Sequence, residues 1–184
     1  MEDESDLQNA AAVESLLDRM AADLARPRYH RLAMVGIRTR GVPLAVRLAD
    51  RLRGMIPDPV PVGALDITLY RDDLSQTAHW PVLRGTEISF PVDGATLVLV
   101  DDVLHTGRTI RAALNALCDL GRPAAIRLAV LVERNGRELP IQADCAGVRL
   151  ELPAAEWVDV RIREIDGEDA VVRRRGTRPG RART

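Results

Sequence analysis

The sequence predicts an α/β protein with a mainly parallel central sheet flanked by helices. Three observations carry this. Short apolar runs of strand length alternate with segments of helical period, which is the pattern of strand–helix–strand units. Those runs are apolar throughout rather than alternating, as strands buried on both faces require. Near the C-terminus the pattern switches to a clean polar/apolar alternation, which predicts a late β-hairpin. At 184 residues the chain has the length of one domain and enough residues for a sizeable core.

Taken in order, Leu7 to Ala25 predicts an amphipathic helix, with Val13, Leu16, Leu17, Met20 and Leu24 at helical spacing, ended by Pro27. Leu32–Ile37 fits a buried strand. Gly41 to Arg53 predicts a second helix with Leu44, Leu48 and Leu52 on one face, and Val62–Leu69 a second strand. Tyr70 to Ser89 is a long polar stretch without period, containing Pro81 and Gly85, and loops of that length are usually functional. Thr96–Val100 is a third strand, followed by a helix from about Thr106 to Leu120 that stops at Gly121 and Pro123. Ile126–Val132 is a fourth strand, and Asn135-Gly136 is a turn signal. From Glu156 to Arg163 the alternation places Val158, Val160 and Ile162 on one face. Asp166–Asp169 then turns the chain into Ala170–Val172.

Composition narrows the chemistry. All 26 basic residues are Arg, which excludes Schiff-base catalysis and a lysine-bearing phosphate loop. Aromatics are 3% of the chain, so single-stranded nucleic acid cannot be read by stacking bases on a sheet. Two separated cysteines, Cys118 and Cys145, suggest neither a disulfide framework nor a metal site. No apolar run is long enough to cross a membrane, and the acidic start is no secretory signal, so a cytoplasmic location is expected. The net charge of −1 hides an asymmetry. Residues 1–6 carry four acids and no base, while residues 173–184 carry six arginines and no acid. Both ends are expected to be disordered, with 7–172 the folded domain; the basic end suits a solvated tail or a polyanion-binding arm.

Thr96 to Ile110 concentrates the chemistry. An apolar strand delivers Asp101 and Asp102 at its carboxyl end, where open α/β sheets bind ligands. A short loop with Thr106, Gly107, Arg108 and Thr109 then opens a helix whose N-terminal N–H groups suit an anion. Two acids followed by a phosphate cradle match a sugar phosphate: the carboxylates accept from ribose hydroxyls while the cradle holds the 5′-phosphate.

This segment resembles the phosphoribosyl-pyrophosphate (PRPP) signature of type I phosphoribosyltransferases. With Val35-Gly-Ile-Arg-Thr-Arg-Gly41, Asp66–Leu74 and Arg137-Glu-Leu-Pro-Ile141, the chain is similar to the pyrimidine operon attenuator/uracil phosphoribosyltransferase family (PyrR) over roughly residues 10–145. The resemblance implies a type I phosphoribosyltransferase fold with a flexible hood loop. It implies a regulator that senses uridine nucleotides (UMP, UTP), binds the mRNA leader of the pyrimidine operon, and converts uracil and PRPP to UMP and pyrophosphate.

Residue by residue, it implies that Asp101 and Asp102 hold the ribose and that Val103, Leu104, His105, Thr106, Gly107, Arg108 and Thr109 hold the 5′-phosphate. Arg38, Thr39, Arg40 and Gly41 match the pyrophosphate loop. Arg71 matches a catalytic pyrophosphate contact from the hood loop, and Arg134 falls at the substrate site. Mg²⁺ would accompany PRPP, with no residue assigned as its direct ligand. Arg19, Arg38 and Arg137 remain of a basic RNA-binding surface, and a homodimer or homotetramer is implied.

The chain departs from the family pattern at defined places. His105 stands where the family usually has Tyr, and Glu133-Arg-Asn-Gly-Arg137 replaces Asp-Arg-Gly-His-Arg. Ala154 and Ala155 replace polar residues beside the uracil, and Asp18, Ala22 and Gln142 replace polar or basic positions of the RNA surface. The alternative reading is therefore a phosphoribosyltransferase for uracil or another base without an RNA role. On either reading, Asp102→Asn is expected to weaken PRPP and UMP binding in a titration. Its melting temperature is expected to hold, since a large drop would make that acid a structural cap instead.

Overall fold

The computed structural model describes residues 4–176 except 27, 28, 30 and 71–84. Strand β1 (Glu4–Gln8) leads into α1 (Ala10–Ala25), β2 (Leu32–Ile37), α2 (Gly41–Leu52) and β3 (Val62–Leu65). After a 3₁₀ turn at Thr68–Tyr70 come β4 (Thr96–Leu104), α3 (Arg108–Leu120), β5 (Ala125–Arg134) and β6 (Cys145–Leu150). The chain ends in β7 (Glu156–Arg161), the single-turn α4 (Arg163–Asp166) and β8 (Ala170–Arg175).

The five strands β3-β2-β4-β5-β6 form a fully parallel sheet, in that order. Its central strands are buried on both faces, and alternate residues divide between two cores. Met34, Val98, Val100 and Leu131 join α1 and α2 on one face. Val35, Leu97, Leu99 and Val130 join α3 on the other. Period-two alternation and two apolar faces together explain why these strands read as unbroken apolar runs.

The second sheet, β1-β8-β7, is antiparallel and corrects two expectations. The N-terminal acidic segment and the start of the arginine-rich stretch pair with each other. Ser5 lies opposite Arg173 and Asp6 opposite Val172, and Arg173 donates from Nε to Ser5 Oγ at 3.0 Å. Neither segment has an apolar period, so only the partner reveals the strand. Opposite charge on two terminal segments favours that pairing. Residues 177–184 lie outside the described residues. Asn9 is the N-cap of α1, accepting from the Ala12 N–H at 3.0 Å, so the helix begins three residues later than its apolar pattern suggests.

Strand β3 also stops early. Asp66 Oδ1 accepts from the backbone N–H (2.9 Å) and hydroxyl (2.5 Å) of Thr68, starting the 3₁₀ turn. The same carboxylate accepts from the Gly85 N–H at 3.2 Å, and the Asp66 N–H donates to Thr86 Oγ1 at 3.1 Å. One residue thus ties together both flanks of 71–84. The hood loop, with Arg71, falls largely outside the described residues. Strand β6 is absent from the sequence reading because Cys145–Leu150 is short, interrupted by Gly147 and mostly half-exposed at a sheet edge.

The hairpin is fixed to the main domain by a buried cation. Arg47 of α2, 5% exposed, donates to both oxygens of Asp169 at 3.0 Å and to both of Glu164 at 2.6 and 2.8 Å. Asp169 is itself 6% exposed and accepts from the Arg163 N–H at 2.9 Å. Its carboxyl is held below the ordinary carboxylate range, because the Arg47 guanidinium and the Arg163 N–H outweigh the cost of burial. Asp169→Ala is therefore expected to cost about 3 kcal/mol in urea unfolding, by removing the more deeply buried of the two carboxylates that match the Arg47 charge, with the m-value unchanged.

Candidate active site

The site forms where β4 meets the turn into α2. Strand β4 runs further than the apolar run, because Asp101, Val103 and Leu104 continue its pairing with β5. Asp101 is buried and Asp102 half-buried at the carboxyl end of the sheet. The Asp102 N–H donates to Asp101 Oδ1 at 3.0 Å, and the Val103 N–H to Asp102 Oδ1 at 2.8 Å. Burial, with the neighbouring Asp102 charge, raises the Asp101 carboxyl well above the ordinary carboxylate range. Asp102 is raised less: burial pushes it up, while a hydrogen bond with Asp101 and the field of Arg40 pull it down. Two adjacent acids held this way are poised for a cation or for hydroxyl donors.

Facing them is the turn Arg38–Arg40, brought close by an absence. A Cβ on Gly41 would lie 2.3 Å from the Val100 carbonyl oxygen and 3.3 Å from Asp101 Cα. Only glycine allows α2 to begin directly against the strand that carries the acids. The Arg38–Thr39 peptide is cis. Arg38 is half-buried and donates to the Gly85 carbonyl at 3.0 Å and to Glu87 Oε1 at 2.8 Å, so it anchors the far flank of 71–84. Thr39 is exposed at the tip of the turn. Arg40 is engaged by Asp166 through two hydrogen bonds, at 3.0 and 2.7 Å.

On the other side, Gly107 adopts a left-handed conformation (φ 93°) as the N-cap of α3. It turns His105–Gly107 into a loop that leads into the N-terminus of α3, an end whose dipole favours an anion. The loop is backed by residues 138–141: the Thr106 carbonyl accepts from the N–H groups of Glu138 (3.0 Å) and Leu139 (3.1 Å). The Arg108 N–H faces Thr106 Oγ1 at 3.4 Å, while the Arg108 side chain pairs with Glu138 at 2.6 Å. Val103 is half-buried, Leu104 buried and Thr109 exposed. Residues 101–109 and 38–41 therefore converge on one end of the sheet.

The remaining candidates are placed differently. Arg134 is 6% exposed, and its guanidinium donates to the carbonyls of Glu156 (2.9 Å) and Asn135 (3.2 Å), so it braces β5 against the start of β7. Arg137 is half-buried, pairs with Glu133 at 2.8 Å and donates to the His105 carbonyl. Glu133 also pairs with Arg149 at 3.0 Å. Of the three arginines assigned to RNA, Arg19 alone has an exposed position; it approaches Ser15 Oγ and the Gly147 carbonyl, each at 3.4 Å.

Two positions of the Asn-Gly turn have contacts that the sequence does not show. Gly136 leaves the space that His105 fills: a Cβ there would lie 2.6 Å from His105 Nε2. Asn135 accepts from the Leu152 N–H at 2.9 Å and donates to its carbonyl at 3.1 Å, fixing the start of the loop that carries Ala154 and Ala155. The Asn-Gly turn signal was visible, but its partner lies 17 residues away.

Cys145 is buried, and burial pushes its thiol up to about 11, which leaves no thiolate nucleophile there. Among the described residues no group of three or more His, Cys, Asp or Glu could hold a metal ion, and no helix is long and apolar enough to cross a membrane.

The raised carboxyls make a stability prediction. An acid with a folded-state value above its unfolded one costs stability once ionised. The cost is therefore full above the folded-state range and relieved as pH falls through it. Asp101→Asn is expected to raise the melting temperature at pH 7, by about 2–4 °C for each kcal/mol regained. The gain should shrink as the pH is lowered, which a pH series of thermal melts would reveal.

The phosphoribosyl transferase domain family matches residues 3–160. Among similar proteins is the bifunctional protein PyrR of Pelotomaculum thermopropionicum, 60% identical over 141 residues covering 77% of this chain and 78% of that one. PyrR of Thermus thermophilus is 51% identical over 169 residues, covering 91% and 93%. Among solved structures, the hypoxanthine phosphoribosyltransferase of Staphylococcus aureus superimposes with a TM-score of 0.67 at 18% identity, covering 95% of this chain and 93% of that one. The hypoxanthine phosphoribosyltransferase of Trypanosoma cruzi gives 0.67 at 18%, covering 94% and 97%. At such identities these two likenesses concern the fold.

Proposed function

The chain belongs to the PyrR branch of the phosphoribosyltransferase family, and from that membership we propose that it both regulates the pyrimidine biosynthesis operon and forms UMP and pyrophosphate from uracil and PRPP. The supporting observation is the convergence of the buried Asp101–Asp102 pair, the Gly107-led start of α3 and the Arg38–Gly41 turn on one end of the sheet.

Displacement of pyrophosphate from ribose by uracil breaks the anomeric C–O bond, leaving positive character on the sugar and negative charge on the leaving group. Asp101 and Asp102 accept from the ribose hydroxyls and lie on the side where cationic character builds. The N–H groups at the start of α3 and the hydroxyls of Thr106 and Thr109 hold the 5′-phosphate. Thr39 and Arg40 meet the pyrophosphate, and Arg71 from the loop completes that contact. Preorganised donors aimed at developing charge can supply about 3 kcal/mol each, so no nucleophilic side chain is needed. The acid pair fits a hard divalent cation: it supplies two carboxylates and no cage of its own, leaving further ligands to come from substrate oxygens. Bound Mg²⁺ would neutralise charge on the pyrophosphate.

The same 5′-phosphate cradle accepts UMP, so one site serves substrate turnover and nucleotide sensing. RNA contact is assigned to arginine and shape, with Arg19 the exposed member of its set. We place the protein in the cytoplasm as a homodimer or homotetramer. A transferase acting on another base is the second reading, favoured by His105 seated over Gly136 and by Ala154 and Ala155 in the loop that Asn135 pins.

A PRPP assay with uracil, orotate, hypoxanthine and guanine decides between them. UMP formation with uracil is expected, and product from another base alone would replace the first reading by the second. For the regulatory arm, a gel shift with the operon's own leader is expected to strengthen with UMP. Binding indifferent to UMP and equal for any RNA would reduce it to counterion release.

A further inference from the structure

The pyrophosphate-loop arginine is held by a residue outside the site's sequence motifs. Asp166, in the corner between β7 and β8, takes Nε of Arg40 on Oδ2 at 3.0 Å and Nη2 on Oδ1 at 2.7 Å. This is a planar two-point fork, the geometry that fixes a guanidinium in orientation as well as in place. Among the described residues, nothing hydrogen-bonds to Nη1, and the side chain is 34% exposed. Arg40 therefore keeps one edge for a ligand while the opposite edge is fastened. Its charge is also felt at Asp102, so the fastened guanidinium lies within electrostatic reach of the acid pair.

Asp166 is itself anchored. Its side chain is 20% exposed and accepts from the Ile162 N–H at 2.8 Å, which closes the single turn α4. That turn cannot drift, because Glu164 and Asp169 are clamped by Arg47. Arg40 and Arg47 are seven residues apart, two turns of helix, and so point to the same side of α2. The corner of the hairpin is thus joined to α2 by two arginine–carboxylate contacts. The deeper one holds the elements together, and the shallower one ends in the catalytic turn.

We infer that Asp166 is a positioning residue for the transferase reaction: it orients Arg40 so that the free edge of its guanidinium meets the pyrophosphate group of PRPP. The inference rests on the phosphoribosyltransferase reading above. It assigns to the hairpin a part in binding the leaving group, apart from any part in binding the base.

The test uses the full-length protein. PRPP binding is measured by calorimetry, and steady-state kinetics give KM for PRPP and for uracil, together with kcat. Asp166→Asn keeps an acceptor for the Ile162 N–H but loses the ionic fork. It is expected to raise the PRPP Kd and KM about tenfold, with KM for uracil and the melting temperature little changed. Asp166→Glu should recover part of the loss. Arg40→Lys, which keeps the charge and cannot form the fork, should show the same signature, and adding Asp166→Asn to it should cost nothing more. Should Asp166→Asn fail to fold, Asp166→Glu decides, since it keeps the charge but displaces the fork: a PRPP Kd equal to wild type would overturn the inference.

An unchanged or lower PRPP Kd in Asp166→Asn would overturn the inference and leave the transferase reading intact. So would an effect additive with Arg40→Lys, or equal losses for both substrates with a drop in melting temperature. A wild-type protein that neither binds PRPP nor makes UMP would remove both.

Discussion

A buried arginine cannot be left without anions, and Arg47 satisfies that requirement by drawing the C-terminal hairpin onto α2. The guanidinium sits almost entirely out of water between Asp169 and Glu164. Its desolvation is tolerable only while both carboxylates stay in place. Arg51, one helical turn later, adds contacts to Glu14 and Asp18 of α1. The first two helices and the late hairpin are therefore joined by charge on one side, while the aliphatic core joins them to the sheet on the other. A chain with five aromatic residues and no lysine builds its specific tertiary contacts from arginine forks.

The site depends on this joint at one remove. The acids are delivered by a strand that packs on both faces, so their position is set by the core. The turn opposite them is set by steric contact at Gly41, where no side chain fits. What remains free to vary is the direction of Arg40, and that is given by the hairpin through Asp166. The acid pair, the loop before α3 and the Arg38–Arg40 turn thus rest on three different mechanical supports: β4, residues 138–141, and α2 with its hairpin.

Much of this was legible in the residues. The central strands were readable because burial on both faces leaves only apolar side chains, and the acids stood out against them. Gly107 and the two threonines marked a helix start, and the structure puts a left-handed glycine there. Elements whose pattern is weak were not readable. Strand β1 is polar, β6 is a short edge strand, and neither can be recognised without the neighbour that completes its hydrogen bonds. Arg134 and Arg137 read as open contacts because a sequence shows charge and not partners. In the fold, Arg134 is consumed by backbone carbonyls, and Arg137 by Glu133 and the His105 carbonyl.

By itself the sequence determined the fold class, the strand that carries the acids, the glycine-led helix start that follows them and the family. Each of these is written in contiguous residues whose periodicity or order is local. The tertiary structure decided which arginines are engaged by structural partners, and that the oppositely charged strands Glu4–Gln8 and Ala170–Arg175 lie side by side in one small sheet. It also decided that Arg40, in the turn before α2, is held by a hairpin residue 126 positions away. The reason is physical: a guanidinium's role is set by the carboxylates and carbonyls that surround it, and those arrive from distant parts of the chain only when it folds.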